Sequence, residues 1–413
     1  MKYLYSILLL AIFAICFSGC EEEKQVKKEI DKAYSKDTLV KIASRDVDEA
    51  ILYVIEGEMK GKLTSYQANY LCAQLTYQYT NNNLMAIKYC QNALLALDIE
   101  DNYEERVEIL YLLSNVAYAA LDLNTSITAA LEGKEIAHKH KMDFEEAAFD
   151  YVVGRCRFNM GEIEGLEIMR EAINRARHYA KERIEFGHLV FFVGDLTICY
   201  ATLGHTQTNY MNDLLSELQI HEQLVNEMER RFPQAKSYCD RNRFQITLYR
   251  AVANAALGKL DVADNYFEQC LKSDLAYNQP EHLRQIEYYA EIGKVDSVIS
   301  IYNRYPPEGD TIQRSFRREI GILEIAYRKV GDNVTADSYH KRYEELSKLI
   351  EQRELKEGLA LNNLKYDSQN YKLILNDHEE SMQRLFTMIF ILIAIIFIFL
   401  LFVLVGLFIH RKR

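Results

Sequence analysis

Apolar residues recur every three or four positions from about residue 40 to residue 345, which is the period of amphipathic helices. One unit is particularly clear: a helix ends at Gly258, and a second helix then carries Ala263, Phe267 and Cys270 on one face. The small Ala263 lets a neighbouring helix approach, and the larger Phe267 fills the space one turn later. The pattern therefore predicts helix pairs joined by short turns.

The same step recurs along the chain, with a small or apolar residue five positions after a turn residue. Gly331 precedes Ala336 in this way, and Gly293 precedes Val298. Successive copies are about 35 to 40 residues apart, a period that indicates a helical solenoid. The positions that carry the signature are Tyr77, Ala86, Ala93, Gly161, Gly258, Ala263, Phe267, Gly293, Tyr327, Gly331 and Ala336.

This signature resembles the tetratricopeptide repeat (TPR), a helix–turn–helix unit of about 34 residues. The similarity covers roughly residues 45–345, although the chain has no Trp and lacks the closing proline after Ala93 and Cys270. The resemblance implies an all-α, TPR-like α-solenoid of six to eight helix pairs; a HEAT-like or irregular α-solenoid is the alternative.

A solenoid of this kind has a concave face, lined by the first helix of each pair, that can bind a protein or peptide ligand. The repeat pattern places four polar groove candidates on that face: Gln78, Gln245, Arg318 and Arg328. The alternative is that each is a solvated surface residue. The tyrosines at packing positions, such as Tyr77 and Tyr327, are interpreted as core residues.

The final apolar run, residues 385–409, contains 25 residues without a charge and has no polar stripe. As a helix it would span about 37 Å, enough to cross a bilayer core of about 30 Å. Basic residues follow at positions 411–413, which favours a cytoplasmic tail, 410–413, and an extracytoplasmic location for the preceding residues. The alternative to this transmembrane helix is a tail buried by a partner protein.

The N-terminus predicts export. Lys2 is followed by a short apolar stretch and then by Phe17-Ser18-Gly19-Cys20. These four residues resemble the lipobox of bacterial lipoproteins, and the resemblance implies lipid attachment at Cys20, although Phe17 stands where an aliphatic residue is usual. The alternatives are cleavage by signal peptidase I and an uncleaved anchor.

The predicted domains are a signal peptide (1–20), an acidic linker (21–40), the repeat domain (41–345), a helical or coiled-coil stalk (346–384), the transmembrane helix and the tail. The stalk has an imperfect heptad pattern, with polar residues in several seam positions. It either forms a homodimer or packs back on the last repeat.

Composition excludes several classes of function. A net charge of −11 without a basic stripe argues against nucleic-acid binding. No nucleotide-binding, zinc-protease or serine-hydrolase motif is present, so we expect neither an enzyme nor a cofactor. Glu145-Glu146 and Glu344-Glu345 are interpreted as solvated helix faces. The six cysteines beyond Cys20 are read as small buried residues, with disulfides as the alternative.

The order of export signal, repeats, stalk, span and basic tail resembles the periplasmic and membrane part of bacterial TPR-containing sensor regulators, but only residues 410–413 follow the span. The resemblance implies a protein of the bacterial inner membrane, with residues 21–384 in the periplasm. It further implies that the protein binds a protein or peptide partner and acts as a sensor-like component of envelope signalling without an output domain. The alternative is an anchored scaffold that assembles envelope complexes without signalling.

Overall fold

The computed structural model describes residues 32–80, 82–97, 102–205, 207–278, 281–305, 314–350 and 352, and every regular element among them is a helix. Two helices of 8 and 13 residues come first, and seven antiparallel helix pairs follow. The helices are α1 (Lys36–Ala43), α2 (Val47–Met59), α3 (Ser65–Tyr79), α4 (Asn83–Leu95), α5 (Tyr103–Ala119), α6 (Leu123–His140), α7 (Asp143–Asn159), α8 (Gly165–Tyr179), α9 (Arg183–Gly204), α10 (Tyr210–Arg231), α11 (Lys236–Ala256), α12 (Leu260–Leu271), α13 (Glu281–Arg284), α14 (Ile286–Glu291), α15 (Val295–Arg304), α16 (Arg314–Lys329) and α17 (333–350).

The turn inside a helix pair has the same geometry in five of the seven pairs. One residue has a positive φ there, and in four pairs it is a glycine, which adopts that conformation without steric cost. The next residue closes the turn: the Lys259 N–H donates to the Asn254 carbonyl oxygen at 2.8 Å, and the Lys294 N–H donates to that of Tyr289 at 2.9 Å. The recurring glycines are therefore helix-ending residues. The positive-φ residues of these five turns are Leu121, Gly161, Gly258, Gly293 and Gly331.

The small residues of the repeat signature lie where neighbouring helices meet. The side chains at the four alanine positions have no exposed surface, and Phe267 is 5% exposed. Tyr77 and Tyr327 are half-buried and contact aromatic or apolar neighbours. The prediction of an all-helical solenoid built from helix pairs is confirmed. The four alanines are Ala86, Ala93, Ala263 and Ala336.

The apolar core is divided along the chain. One cluster extends from Ala73 to Tyr288 and holds most of the helix pairs together. A small N-terminal cluster lies around Val54 and Leu71, and a separate C-terminal cluster contains Ile320 and Leu346. Such a division is expected when each repeat contacts only its neighbours.

The six cysteines beyond Cys20 are buried, and none of them forms a disulfide. Burial raises the pKa of the Cys72, Cys90 and Cys270 thiols to about 12. These cysteines therefore behave as small apolar core residues, as the sequence indicated.

One of the described helices, α9 (Arg183–Gly204), is long and apolar enough to cross a membrane. Most of its apolar window, 61%, is buried inside the solenoid, so α9 is a core helix. The predicted signal peptide with Cys20, the span at 385–409 and the tail at 410–413 lie outside the described residues.

Two helices extend past the predicted domain boundaries. Helix α1 begins within the segment 21–40 that was predicted as a linker, because Leu39 packs into the N-terminal cluster and is only 3% exposed. At the other end, α17 continues to residue 350, and Leu346 and Ile350 are buried. The packed array thus includes the first residues of the predicted stalk.

Candidate functional site

The first helices of the pairs line the inner surface of the solenoid. Helices α3 and α5, α5 and α7, and α9 and α11 contact each other directly across successive pairs. Consecutive second helices in the described chain approach each other less extensively. A stack whose first helices are closer together curves toward them, so they form the concave side.

Helix α9 presents an open stripe on this inner side. Ile184, His188, Phe191 and Asp195 follow spacings of four, three and four residues, which place them on one helix face. Ile184 is 66% exposed and Phe191 is 44% exposed, although the opposite face of α9 is buried. Large apolar side chains left open on a concave surface are typical of a binding groove.

A cavity of about 390 Å³ lies at one end of this stripe, where α5, α7 and α9 meet. Its volume falls within the range of about 300–1,000 Å³ that is usual for ligand pockets. The floor and walls are mainly apolar and aromatic, and the rim carries four glutamates. The lining consists of Glu104, Val107, Glu108, Tyr111, Met142, Phe144, Glu145, Ala148, Phe149, Ile184, Glu185 and His188.

Four glutamates line the pocket, and no lysine or arginine is among its lining residues. Burial raises the pKa of Glu145, and the nearby carboxylates of Glu185, Asp143 and Glu104 raise it further. This side chain is half-buried in the pocket, so the interpretation of Glu145-Glu146 as a solvated face was wrong for Glu145. Glu146 is also half-buried and pairs with His138 at 2.9 Å.

Aromatic rings form the wall behind these carboxylates. The His188 ring centroid lies 5.5 Å from that of Tyr111, 6.5 Å from that of Phe144 and 6.3 Å from that of Phe192. Carboxylates beside aromatic faces suit an ammonium or guanidinium group, which gains both ion pairing and cation–π attraction.

A cluster of polar side chains lies at the other end of the stripe. Arg155 Nε lies 2.9 Å from Asp195 Oδ2, and the Tyr151 hydroxyl donates to the same oxygen at 2.5 Å. The Arg155 guanidinium carbon stands 3.7 Å from the centroid of the Tyr118 ring and 5.6 Å from that of Phe191. Ten residues of α7 separate Glu145 from Arg155, so the groove runs for about 15 Å.

The four groove candidates from the sequence do not converge in the structure. Gln78 is exposed on α3, and Gln245 is half-buried on α11. Arg318 on α16 pairs with Glu287 at 2.8 Å, whereas the exposed Arg328 pairs with Glu324 at 2.9 Å and with Asp337 at 3.0 Å. Both arginines bind groups of the chain itself, and the groove role of all four residues stays a prediction.

A second cavity, of about 710 Å³, lies between α11 and α12 and is more open. Its two cationic side chains are paired within the chain: Lys236 with Asp240 at 3.0 Å, and Arg243 with Asp240 at 3.1 Å and also with Glu229. We therefore assign the candidate site to the smaller pocket on the inner surface.

Arg318 belongs to a buried charge cluster at the C-terminal end of the solenoid. His205 Nδ1 lies 2.8 Å from Glu291 Oε1 and His205 Nε2 lies 3.5 Å from Glu287 Oε2, while Lys329 Nζ lies 3.0 Å from Glu291 Oε2. Both carboxylate side chains are only 3% exposed. Burial alone would lower the pKa of His205, but its hydrogen bonds to the two glutamates raise that pKa to about 9.

A second buried histidine has a pKa that is shifted in the opposite direction, downward. His221 on α10 has no exposed surface, and its Nε2 lies 3.0 Å from Asn242 Oδ1. Burial lowers the pKa of His221 to about 4, against a smaller opposing effect of the Asn242 hydrogen bond. The imidazole is therefore neutral in the folded protein near neutral pH.

These two histidines predict a stability maximum between pH 6 and 7. The His205 contribution is fully present below its unfolded pKa of about 6.5 and is lost as the pH rises through 9. The His221 contribution is present above about pH 6.5 and is lost as the pH falls toward 4. Each histidine contributes about 3 kcal/mol to the free energy of unfolding, since a pKa difference of one unit between the folded and unfolded states corresponds to about 1.4 kcal/mol.

Urea denaturation at pH 5, 6.5 and 8.5 measures this dependence. His205→Gln should flatten the alkaline side of the profile, where Arg318, Lys329 and Tyr249 also face the cluster. His221→Gln should flatten the acid side. A wild-type free energy of unfolding that keeps rising from pH 6.5 to 8.5 would contradict the assignment of His205.

No protein-family model matches the chain, and no curated protein matches it. Among solved structures, the chain is similar to a Rap protein in complex with the Competence and Sporulation Factor, with 14% identity and a TM-score of 0.52 over 74% of this chain and 81% of that one. The apo form of RapI matches with 12% identity and a TM-score of 0.46, over 79% of this chain and 98% of that one. The first similarity supports a TPR-like fold.

Proposed function

We propose that this protein binds a protein segment or peptide in the inner groove of α5, α7 and α9, with a lysine or arginine side chain of the ligand in the glutamate-lined pocket. The main support for this proposal is the composition of the pocket. Burial and the carboxylates of Glu185, Asp143 and Glu104 raise the pKa of Glu145, so a cation there would relieve the repulsion around this side chain. The exposed Ile184 and Phe191 would contact apolar side chains on either side of that cation.

Two further observations support a macromolecular ligand. The groove runs about 15 Å along α7, which is long enough for about four extended residues. The solved Rap protein with which this chain shares its fold was crystallised in complex with a partner, the Competence and Sporulation Factor.

We further propose that the groove faces the periplasm. The predicted export signal, the predicted span at 385–409 and the basic residues after it support this orientation. In that setting the protein would be a sensor-like component that reports ligand binding through a membrane partner. The alternative, an anchored scaffold, requires the groove but no such partner.

Peptide pools can test the proposed pocket. Full-length protein in detergent micelles would be titrated with fluorescent heptapeptide pools that each have one fixed residue. We expect pools with fixed Lys or Arg to bind at least tenfold more tightly than pools with fixed Glu, because charged hydrogen bonds contribute about 1.5–3 kcal/mol. The double variant Glu108→Gln/Glu145→Gln should lose this preference.

The matched control is Glu135→Gln/Glu171→Gln, which removes the same charge from exposed positions on the second helices α6 and α8. It should keep the preference for basic pools. Equal binding of the Lys, Arg and Glu pools by the wild-type protein would contradict the proposed pocket.

A further inference from the structure

The first helix of the sixth pair is interrupted. It consists of α13, with four residues, and α14, with six, whereas the first helices of the five preceding pairs have 15 to 22 residues. Short helices have few internal hydrogen bonds and are individually weak. The break falls at Gln285, between Arg284 and Ile286, where regular helix stops and starts again.

The apolar core changes at the same place. Tyr288 on α14 belongs to the main cluster and stacks on Phe267, with ring centroids 3.9 Å apart. Ile286 and Ala290, on another face of α14, belong to the separate C-terminal cluster. Helices α14 to α17 thus have a core of their own, and their apolar contact with the main cluster is made by Tyr288, Tyr289 and Ile292.

Charges join the two parts across this junction. His205, which directly follows α9, contacts Glu287 and Glu291 of α14 across the junction. Arg318 and Lys329 of α16 pair with the same two glutamates from the C-terminal side. Tyr249 of α11 accepts a hydrogen bond from Arg318 at 3.3 Å. Buried ion pairs barely offset the cost of their desolvation, so such a contact is stable only while every partner is in place. This dependence distinguishes it from an apolar contact, which tolerates small movements.

We propose that residues 286–350, helices α14 to α17, form a terminal unit that undocks from the rest of the solenoid about the interrupted helix. The cluster of His205, Glu287, Glu291, Arg318 and Lys329 holds the unit in the docked position. Hinged movements of packed units are a common way to couple two parts of a protein. The chain continues from this unit toward the predicted span. The docked and undocked states would therefore place the connection to the span in two different positions.

Hydrogen exchange followed by mass spectrometry tests the proposal on the full-length protein in detergent micelles. In the wild type, residues 286–350 should exchange at least tenfold faster than the central helices α7 and α9, because they open without global unfolding. In Glu287→Gln and in Glu291→Gln, exchange in 286–350 should rise by a further tenfold or more, while α7 and α9 stay unchanged.

The matched control is Glu344→Gln, a 58% exposed carboxylate of the same unit that lies 3.6 Å from His340. It should change exchange by less than twofold. Wild-type protection in 286–350 equal to that of α7 and α9 would overturn the proposal, and this measurement does not depend on any variant folding. Equal acceleration of both regions in the glutamate variants would overturn it as well, since the cluster would then belong to one cooperative core.

Discussion

Replacing Gly165 with alanine is expected to lower the free energy of unfolding by about 3 kcal/mol, at the upper end of the usual cost of overpacking. Helices α7 and α8 cross at Gly165 and Gly154 with their backbones in contact. A Cβ atom at Gly165 would lie 2.5 Å from the Phe158 nitrogen and would also overlap the Gly154 carbonyl oxygen. Backbone atoms cannot turn away as a flexible side chain can, so the two helices would have to separate.

Gly187→Ala provides the matched control, because it makes the same substitution within helix α9. The nearest atom to its Cβ would be Met228 Cε, at 4.0 Å, which is an ordinary contact. This variant should be neutral or stabilised by up to about 1 kcal/mol, since alanine favours helix formation more than glycine does. Urea denaturation measures both variants, and equal stability changes would refute the close crossing.

Phe267→Ala is expected to cost about 3–5 kcal/mol, the usual range for removing a buried aromatic ring. The ring is 5% exposed, stacks on Tyr288 and meets Tyr289 edge-on at 5.1 Å between centroids. Alanine would leave a cavity between α12 and α14 that the neighbouring rings cannot fill without moving. Denaturant titration followed by circular dichroism gives the change.

Val262→Ala on the same helix is the comparison, because Val262 is 46% exposed. Its effect should stay within about 0.5 kcal/mol, as is usual for surface substitutions. If the two variants lost the same stability, the predicted inward face of α12 would be wrong.

The fold could be predicted from the sequence because the same local pattern recurs in each repeat. A residue with positive φ that ends the first helix, and a small residue five positions later that meets the neighbouring helix, are local requirements. They appear as Gly258 with Ala263 and as Gly331 with Ala336, and both pairs have these roles in the structure. Leu121 departs from the glycine rule and still adopts a φ of 63°.

The candidate site could not be predicted from the sequence in the same way. Glu104, Glu145 and Glu185 each lie in the first turn of their helix. Acidic residues are common there because their negative charge interacts favourably with the helix dipole. Only the side-by-side packing of α5, α7 and α9 brings them to one pocket. The partners of Arg318 were hidden for the same reason, since Glu287 is 31 residues away in sequence.

Site-specific photocrosslinking in intact cells can show whether the ligand occupies the inner groove. A photoreactive phenylalanine analogue would replace Ile184 on the inner stripe or, for comparison, Leu131, which is 51% exposed on the second helix α6. The groove model predicts a discrete crosslinked product from position 184 that weakens in the Glu108→Gln/Glu145→Gln background, and none from position 131. A product from position 131 alone, or one from position 184 that is unchanged by neutralising the pocket, would contradict it.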